Sequence, residues 1–161
     1  MKTPMLSSPS SQSTANKLNE LGGGLFSILN LRIEAYRWAT ARVEDAFFSD
    51  LFRSLQAQDF VFRAQLQAEL GSNVAIAEPA VAEWQTMLAN VSLPPSQMSA
   101  EVFFEFIVHL HELEAQATVA LLAETNPNTE WAQTLQTRQT AGKLLAGSLA
   151  FLGQYDDVFK R

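Results

Sequence analysis

The 161-residue sequence contains no cysteine, and this absence excludes several kinds of chemistry. Disulfide bonds, cysteine-ligated zinc, iron–sulfur clusters and thiol nucleophiles all require cysteine sulfur. No secretory signal is expected, because residues 1–15 are rich in serine, threonine and proline and have no apolar core. We therefore expect a cytoplasmic protein.

Long hydrophobic runs are also missing. The longest nearly apolar stretch, residues 21–31, is interrupted by three glycines, Ser27 and Asn30. It falls well short of the ~20 residues that a spanning helix needs. We therefore expect no membrane partner.

Basic residues are scarce and unevenly placed. The chain has 11 Lys and Arg against 17 Asp and Glu, a formal net charge of -6, and residues 64–137 contain no Lys or Arg. Nucleic acids and anionic lipids bind clustered basic side chains, so this half of the chain would repel them and no nucleic-acid partner is expected. Five arginines of the first half are expected to pair with acidic residues of the second: Arg32, Arg37, Arg42, Arg53 and Arg63.

Apolar residues make up 47% of the sequence and include 11 Phe and 3 Trp, which supply a core. At this length, folding removes roughly 70% of the unfolded chain's surface from water. Apolar residues recur at spacings of three and four, which predicts helices. Residues 1–13, rich in serine and proline, are predicted to be a disordered tail, and residues 14–161 to form one domain.

The spacing predicts four long helices, over about 14–43, 46–70 and 100–124, with the fourth following Asn126-Pro127 and ending at about 153. Gly22–Gly24 is expected to kink or break the first helix, or to permit close contact with a neighbouring helix. A short extra helix is predicted from Pro79 to about Val91. Residues 71–98 are long enough to let the third helix lie parallel to the second, so the expected fold is an all-α four-helix bundle.

Such a bundle can hold two metal ions, with a Glu from each of two helices and a Glu-x-x-His pair from each of the others. The only histidines are His109 and His111, and Phe106 and Val108 stand three residues before them. No Glu-x-x-His pair exists, so the di-metal ligand set is incomplete. Gly22–Gly24 also lacks the strand and Lys-Ser/Thr context of a nucleotide-binding loop.

The strongest polar constellation lies along one line of the third helix. Its members, at i, i+4, i+7 and i+11, are Glu105, His109, Glu112 and Gln116. This line either faces a cavity or forms a half-solvated flank in which His109 pairs with a neighbouring glutamate. His111 and Glu114 point elsewhere and are expected at the surface.

Two acidic residues on other helices could complete a site with this line. Glu34 lies on the first helix beside Arg37, and a rim ion pair is its simpler interpretation. Asp59 falls, like Arg138 on the fourth helix, within an apolar stripe, although pairing with Arg63 at i+4 is its simpler interpretation. The candidate metal or ligand residues are Glu34, Asp59, Glu105, His109 and Glu112.

Five short segments follow one another along residues 14–70. They are Leu18-Asn19-Glu20-Leu21, Glu34-Ala35-Tyr36-Arg37, Val43-Glu44-Asp45, Leu51-Phe52 and Ala64-Gln65-Leu66. The series resembles the first helical hairpin of a bacterial ferritin-like family of unknown function. The resemblance implies a ferritin-like bundle in which Glu34 and Glu112 match positions where that family tends to carry Glu. The family's acidic positions on helix 2 fall here on Ser54 and Gln58, and helix 4 has Gly147 where a ligand might be sought.

Two functions follow from these observations. The first is a non-enzymatic ferritin-like binding or structural module that needs no cofactor and forms a homo-oligomer, such as a dimer. Its contact surface would include Trp38, Phe47 and Phe48, unless these are buried in the monomer. The second is a metal-dependent oxidase or iron-handling protein that holds iron or manganese at the five candidate residues. A small apolar ligand in the interior is a third idea, because glycines and alanines of helices 1 and 4 leave room for it.

Overall fold

A computed structural model describes residues 9–71 and 100–152 of the chain, and these residues form four α-helices and no β-strand. The helices are α1, Pro9–Thr40; α2, Ala46–Leu70; α3, Ala100–Ala123; and α4, Glu130–Leu152. The predicted all-α bundle of four helices is confirmed. The short helix predicted from Pro79 to Val91 lies outside the described residues.

Across the described residues, none of the helices combines the length and apolarity that crossing a membrane would require.

Helix α1 differs from its prediction near its beginning and at its glycines. It begins at Pro9, so residues 9–13 belong to the helix rather than to the predicted tail, and proline is well suited to a first helical turn. Residues 1–8 of that tail lie outside the described part. The helix continues through Gly22–Gly24, where the expected break is wrong. Gly22 and Gly23 are buried within it.

Helix α2 has the bounds that the sequence predicted, and its two ends are capped. The Asp45 carboxylate accepts hydrogen bonds from the backbone amides of Phe47 at 2.8 Å and Phe48 at 3.4 Å. At the other end, Gly71 has a φ of 90°, in the region that favours glycine, and its amide donates to the Gln67 carbonyl at 2.8 Å. Both caps satisfy backbone groups that a helix end leaves unpaired.

The directions of the helices follow from contacts at their ends. Trp38, late in α1, stacks on Phe103, early in α3, with ring centroids 5.8 Å apart. Lys17, early in α1, pairs with Glu124, just beyond α3, at 2.9 Å. Helices α1 and α3 are therefore antiparallel. Phe52, early in α2, also contacts Phe103, at 5.6 Å, which confirms that α2 and α3 are parallel.

The core has an apolar region at each end and a polar layer between them. One end, which we call the aromatic end, contains Tyr36, Trp38, Phe48, Phe52, Phe103 and Phe104. The other end contains Leu25, Leu29, Phe62, Leu66, Leu121, Trp131 and Leu135. The layer between them contains charged side chains.

Candidate functional site

Four ionised side chains meet in the middle of the bundle, one from each helix. They are Arg32 of α1, Asp59 of α2, Glu114 of α3 and Arg138 of α4. Arg32, Asp59 and Glu114 are 0%, 3% and 5% exposed, and the Arg138 side chain is 18% exposed. We call this group the ion-pair cluster. It contains two positive and two negative charges, so it is neutral as a whole.

The carboxylate of Asp59 binds both arginines. Arg32 donates to it through two nitrogens, Nε to Oδ2 at 2.7 Å and Nη2 to Oδ1 at 2.8 Å. Arg138 donates from Nη2 to Oδ1 at 2.7 Å. The two-point contact with Arg32 fixes the orientation of both groups, as planar guanidinium and carboxylate groups allow.

The carboxylate of Glu114 binds the same two arginines. Its Oε1 accepts from Nη2 of Arg32 at 2.5 Å, and its Oε2 accepts from Nε of Arg138 at 2.7 Å. Burial acts to raise the pKa of Glu114, but Arg32 and Arg138 outweigh it and lower that pKa to about 2. Glu114 is therefore ionised at neutral pH. With Asp59, every carboxylate oxygen of the cluster has a guanidinium donor.

Two further polar side chains, His111 and Tyr36, border the cluster. The Nη1 of Arg32 lies 3.2 Å from Nδ1 of His111. Burial, assisted by the positive charge of Arg32, lowers the pKa of His111 to about 3, so the ring is neutral at pH 7. Burial also raises the pKa of the Tyr36 hydroxyl. Among the described residues, neither the Tyr36 hydroxyl nor Nε2 of His111 has a hydrogen-bond partner.

The five candidate residues predicted from the sequence occupy two different environments. Asp59 is buried and belongs to the ion-pair cluster. The other four are exposed: Glu34, Glu105, His109 and Glu112. Glu34 pairs with Arg37 at 3.3 Å, the simpler of its two interpretations. The partners of Asp59 are cluster arginines, whereas Arg63 donates a hydrogen bond to the side chain of Asn30.

The surface positions expected for His111 and Glu114 are wrong, because both side chains are buried. Apolar spacing predicts a stripe of α3 whose members Phe103, Leu110 and Leu121 are buried as expected, whereas Leu113 and Ala117 are only half-buried. The buried face also extends over two series at seven-residue intervals, listed here in order: Phe104, His111 and Thr118, then Ile107, Glu114 and Leu121. These intervals keep one side of a helix towards a partner. A search for seven-residue series with a polar middle member would have identified both residues.

The expected pairing of first-half arginines with second-half acidic residues is confirmed for Arg32, which binds Glu114. Arg37 and Arg63 make contacts within the first half instead. Arg42 also does so, with its guanidinium 4.5 Å from the ring centre of Trp38.

A ferritin-like bundle implies a metal centre, and the residues at the middle of this bundle do not fit one. Both inward carboxylates, of Asp59 and Glu114, already bind guanidinium groups through all their oxygens. Within residues 9–71 and 100–152, no group of three or more His, Cys, Asp or Glu side chains is placed to hold a metal ion. Arg32 and Arg138 supply the positive charge that the carboxylates require.

A cavity of about 310 Å³ lies beside the ion-pair cluster. Its polar wall includes Tyr36, Asp59, His111, Glu114 and Arg138. Its apolar wall includes Leu51, Leu55, Ala141, Gly142 and Leu145. A groove of about 810 Å³ between α2 and α4 shares Ser54, Gln58, Arg138 and Ala141 with the cavity. Arg138 therefore belongs to the cluster, the cavity and the groove.

No family model, curated protein or solved structure matches this chain. The ferritin-like resemblance therefore stays a prediction, and the functional argument depends on the residues of the bundle itself.

Proposed function

We propose that this chain is a non-enzymatic, ferritin-like binding module that self-associates and that has a permanent ion-pair cluster at its centre. The observation that carries this proposal is the complete pairing of the Asp59 and Glu114 carboxylates with Arg32 and Arg138. A metal ion at this position would have to displace both arginines and leave two buried cations without partners. Breaking buried pairs in this way costs roughly 3–5 kcal/mol.

The ion-pair cluster is suited to aligning the four helices. Each helix contributes one charged member, and each member has partners on other helices. Sliding one helix by a single turn, about 5.4 Å, would move its charge away from its partners. The alternatives to the correct alignment are therefore strongly disfavoured, which is a role that buried polar groups serve in other bundles.

Metal analysis tests this assignment against the metal-dependent alternative. The purified protein, incubated with iron or manganese and then desalted, is expected to retain much less than one metal ion per chain. The control variants are Glu105→Ala and Glu112→Ala, which alter the predicted metal residues at exposed positions. Retention of about two metal ions per chain, the stoichiometry of a di-metal bundle, with loss in both variants would overturn the proposal.

Self-association through a second copy of the chain is supported by Phe47, which is 60% exposed. Its predicted companions are less accessible, because Phe48 packs towards Phe52 and Trp38 stacks on Phe103. We expect wild type to sediment as a dimer and Phe47→Ser as a monomer. Val61→Ser is the matched control, since Val61 is equally exposed. A monomeric wild-type protein, or a dimer unaffected by Phe47→Ser, would contradict this arrangement.

A further inference from the structure

We propose that the cavity beside the ion-pair cluster binds a small neutral molecule with a hydrogen-bond-accepting oxygen at one end and an apolar body, the chemistry of ketones and esters. The inference rests on the proposed binding role and names the class of ligand. It is carried by three features of the cavity: its unpartnered donors, the neutrality of the cluster and its apolar wall.

The polar wall offers two hydrogen-bond donors without partners. Arginine can only donate, so Nδ1 of His111 must accept the hydrogen bond from Arg32. The proton of the neutral imidazole then resides on Nε2, which is a buried donor with no partner among the described residues. The Tyr36 hydroxyl, on a fully buried side chain, is a second such group in the same wall. Leaving a buried donor unsatisfied costs about 1–3 kcal/mol. Both atoms are buried on residues that line the cavity, so a ligand oxygen reaches them once these side chains shift, and the hydrogen bond it accepts removes that cost.

The cluster favours a ligand head without net charge. Two guanidinium and two carboxylate groups cancel, and the arginine donors already bind Asp59 and Glu114. A carboxylate ligand would meet Asp59 and Glu114 at the same wall, and an ammonium ligand would meet Arg138. Either ion would lose its hydration without gaining a free partner of opposite charge. A carbonyl oxygen needs only a hydrogen-bond donor, which Tyr36 and His111 each carry.

The remaining wall determines the body of the ligand. Leu51, Leu55 and Leu145 present apolar surface, and Gly142 leaves space, since a Cβ added there would meet no atom within 4 Å. A volume of about 310 Å³ lies near the lower limit for ligand pockets, about 300–1,000 Å³. The cavity is therefore suited to a compact molecule with a short aliphatic body.

The test uses 2-heptanone labelled with ¹³C at its carbonyl carbon and titrated into the full-length protein at pH 7, with NMR detection. We expect saturable binding and a downfield movement of the carbonyl resonance, because hydrogen-bond donation polarises the carbonyl group. Tyr36→Phe removes one donor and is expected to weaken binding about three- to tenfold and to reduce that movement. Hexanoate and hexylammonium are expected to bind at least tenfold more weakly.

Gly142→Leu fills the cavity and is expected to abolish 2-heptanone binding. Gly147→Leu is its control, because Gly147 lies on the same helix at an exposed position outside the cavity wall. Circular dichroism and thermal melting establish that both variants fold. The proposal is overturned if 2-heptanone does not bind up to its solubility limit, if hexanoate or hexylammonium binds as tightly, or if Gly142→Leu binds like wild type. The metal content of the wild-type protein and the sedimentation of the Phe47→Ser variant test the proposed function separately.

Discussion

The aromatic end and the ion-pair cluster are neighbouring parts of one core with different kinds of order. At the aromatic end, Phe52 lies 5.6 Å from Phe103 and 5.9 Å from Phe104, in a T-shaped and a tilted arrangement. Such ring contacts tolerate several geometries and depend mainly on buried area. In the cluster, each carboxylate oxygen accepts from one or two particular guanidinium nitrogens. The aromatic end therefore stabilises the fold by burying apolar surface, and the cluster determines which alignment of the helices is adopted.

The largest loss of stability is expected from a change in the ion-pair cluster. Arg32→Met removes one arginine while Asp59 and Glu114 stay buried. We expect the free energy of unfolding to fall by about 3–5 kcal/mol, because both buried carboxylates lose donors. Urea denaturation measures this change. Arg37→Met is the matched control on the same helix, and its exposed pair with Glu34 should contribute less than about 1 kcal/mol.

Replacing the whole cluster sharpens the same comparison. The fourfold variant Arg32→Met, Asp59→Leu, Glu114→Leu and Arg138→Met leaves no unpaired charge, so we expect it to be more stable than Arg32→Met alone. Losses that simply add from one substitution to the next would contradict the view of the cluster as a single unit.

Acidification is expected to weaken the cluster and to leave the aromatic end intact. The folded pKa of His111, about 3, and that of Glu114, about 2, both lie below their usual values. The unfolded chain therefore binds more protons, and stability is lost as pH falls from about 6.5 towards 2. The loss from His111 at pH 4.5 is about 2–3 kcal/mol relative to neutral pH. Denaturation at several pH values should show it.

Variants of the two histidines separate the contributions to this pH dependence. His111→Gln should remove the part between pH 6.5 and 4.5 and retain the part that Glu114 causes at lower pH. His109→Gln changes an exposed histidine two residues earlier and should behave like wild type. An unchanged pH profile in His111→Gln would show that His111 does not contribute.

A smaller difference in stability between the two regions should come from milder replacements. Phe52→Leu at the aromatic end is expected to cost about 1 kcal/mol, since neighbouring side chains can repack. Asp59→Asn, of almost the same shape, should cost at least twice as much, because an amide nitrogen then faces the donors of Arg32 and Arg138. Equal losses in urea denaturation would remove the distinction between the two regions.

The smallest effect is expected at Gly142. An added Cβ meets no atom within 4 Å, so Gly142→Ala should stabilise the helix by about 0.5–1 kcal/mol. Gly147→Ala, at a second open position of α4, should give a similar gain in thermal melting. A loss of stability in Gly142→Ala alone would mean that the cavity wall is more tightly packed than the structure indicates.

The sequence predicted most of the fold, because its signals are local. Apolar spacing located the four helices, and the length of the connection between α2 and α3 permitted their parallel arrangement. The break expected at Gly22–Gly24 was wrong, because helical propensity alone did not account for the tertiary packing of α1.

The cluster was only partly predictable. Asp59 stood out as a charge within an apolar stripe, and Arg138 lay within the stripe of α4, but nothing within either helix identifies their partners. On α3, the predicted apolar stripe extends over Leu113 and Ala117. That rotation of the helix would turn Glu114 towards solvent. The correct rotation of α3 depends on Arg32 and Arg138, which are distant in sequence. Pairing across four helices is a property of the assembled core.

Arg138 gives α4 a distinctive place in the dynamics of the bundle. Its guanidinium is the most accessible of the four cluster members, since it also borders the groove between α2 and α4. Water can therefore compete for its hydrogen bonds before it reaches Arg32. We infer that partial opening of the protein begins when α4 moves away from the bundle. Helix α1 stays in place, because the Arg32 side chain is fully buried.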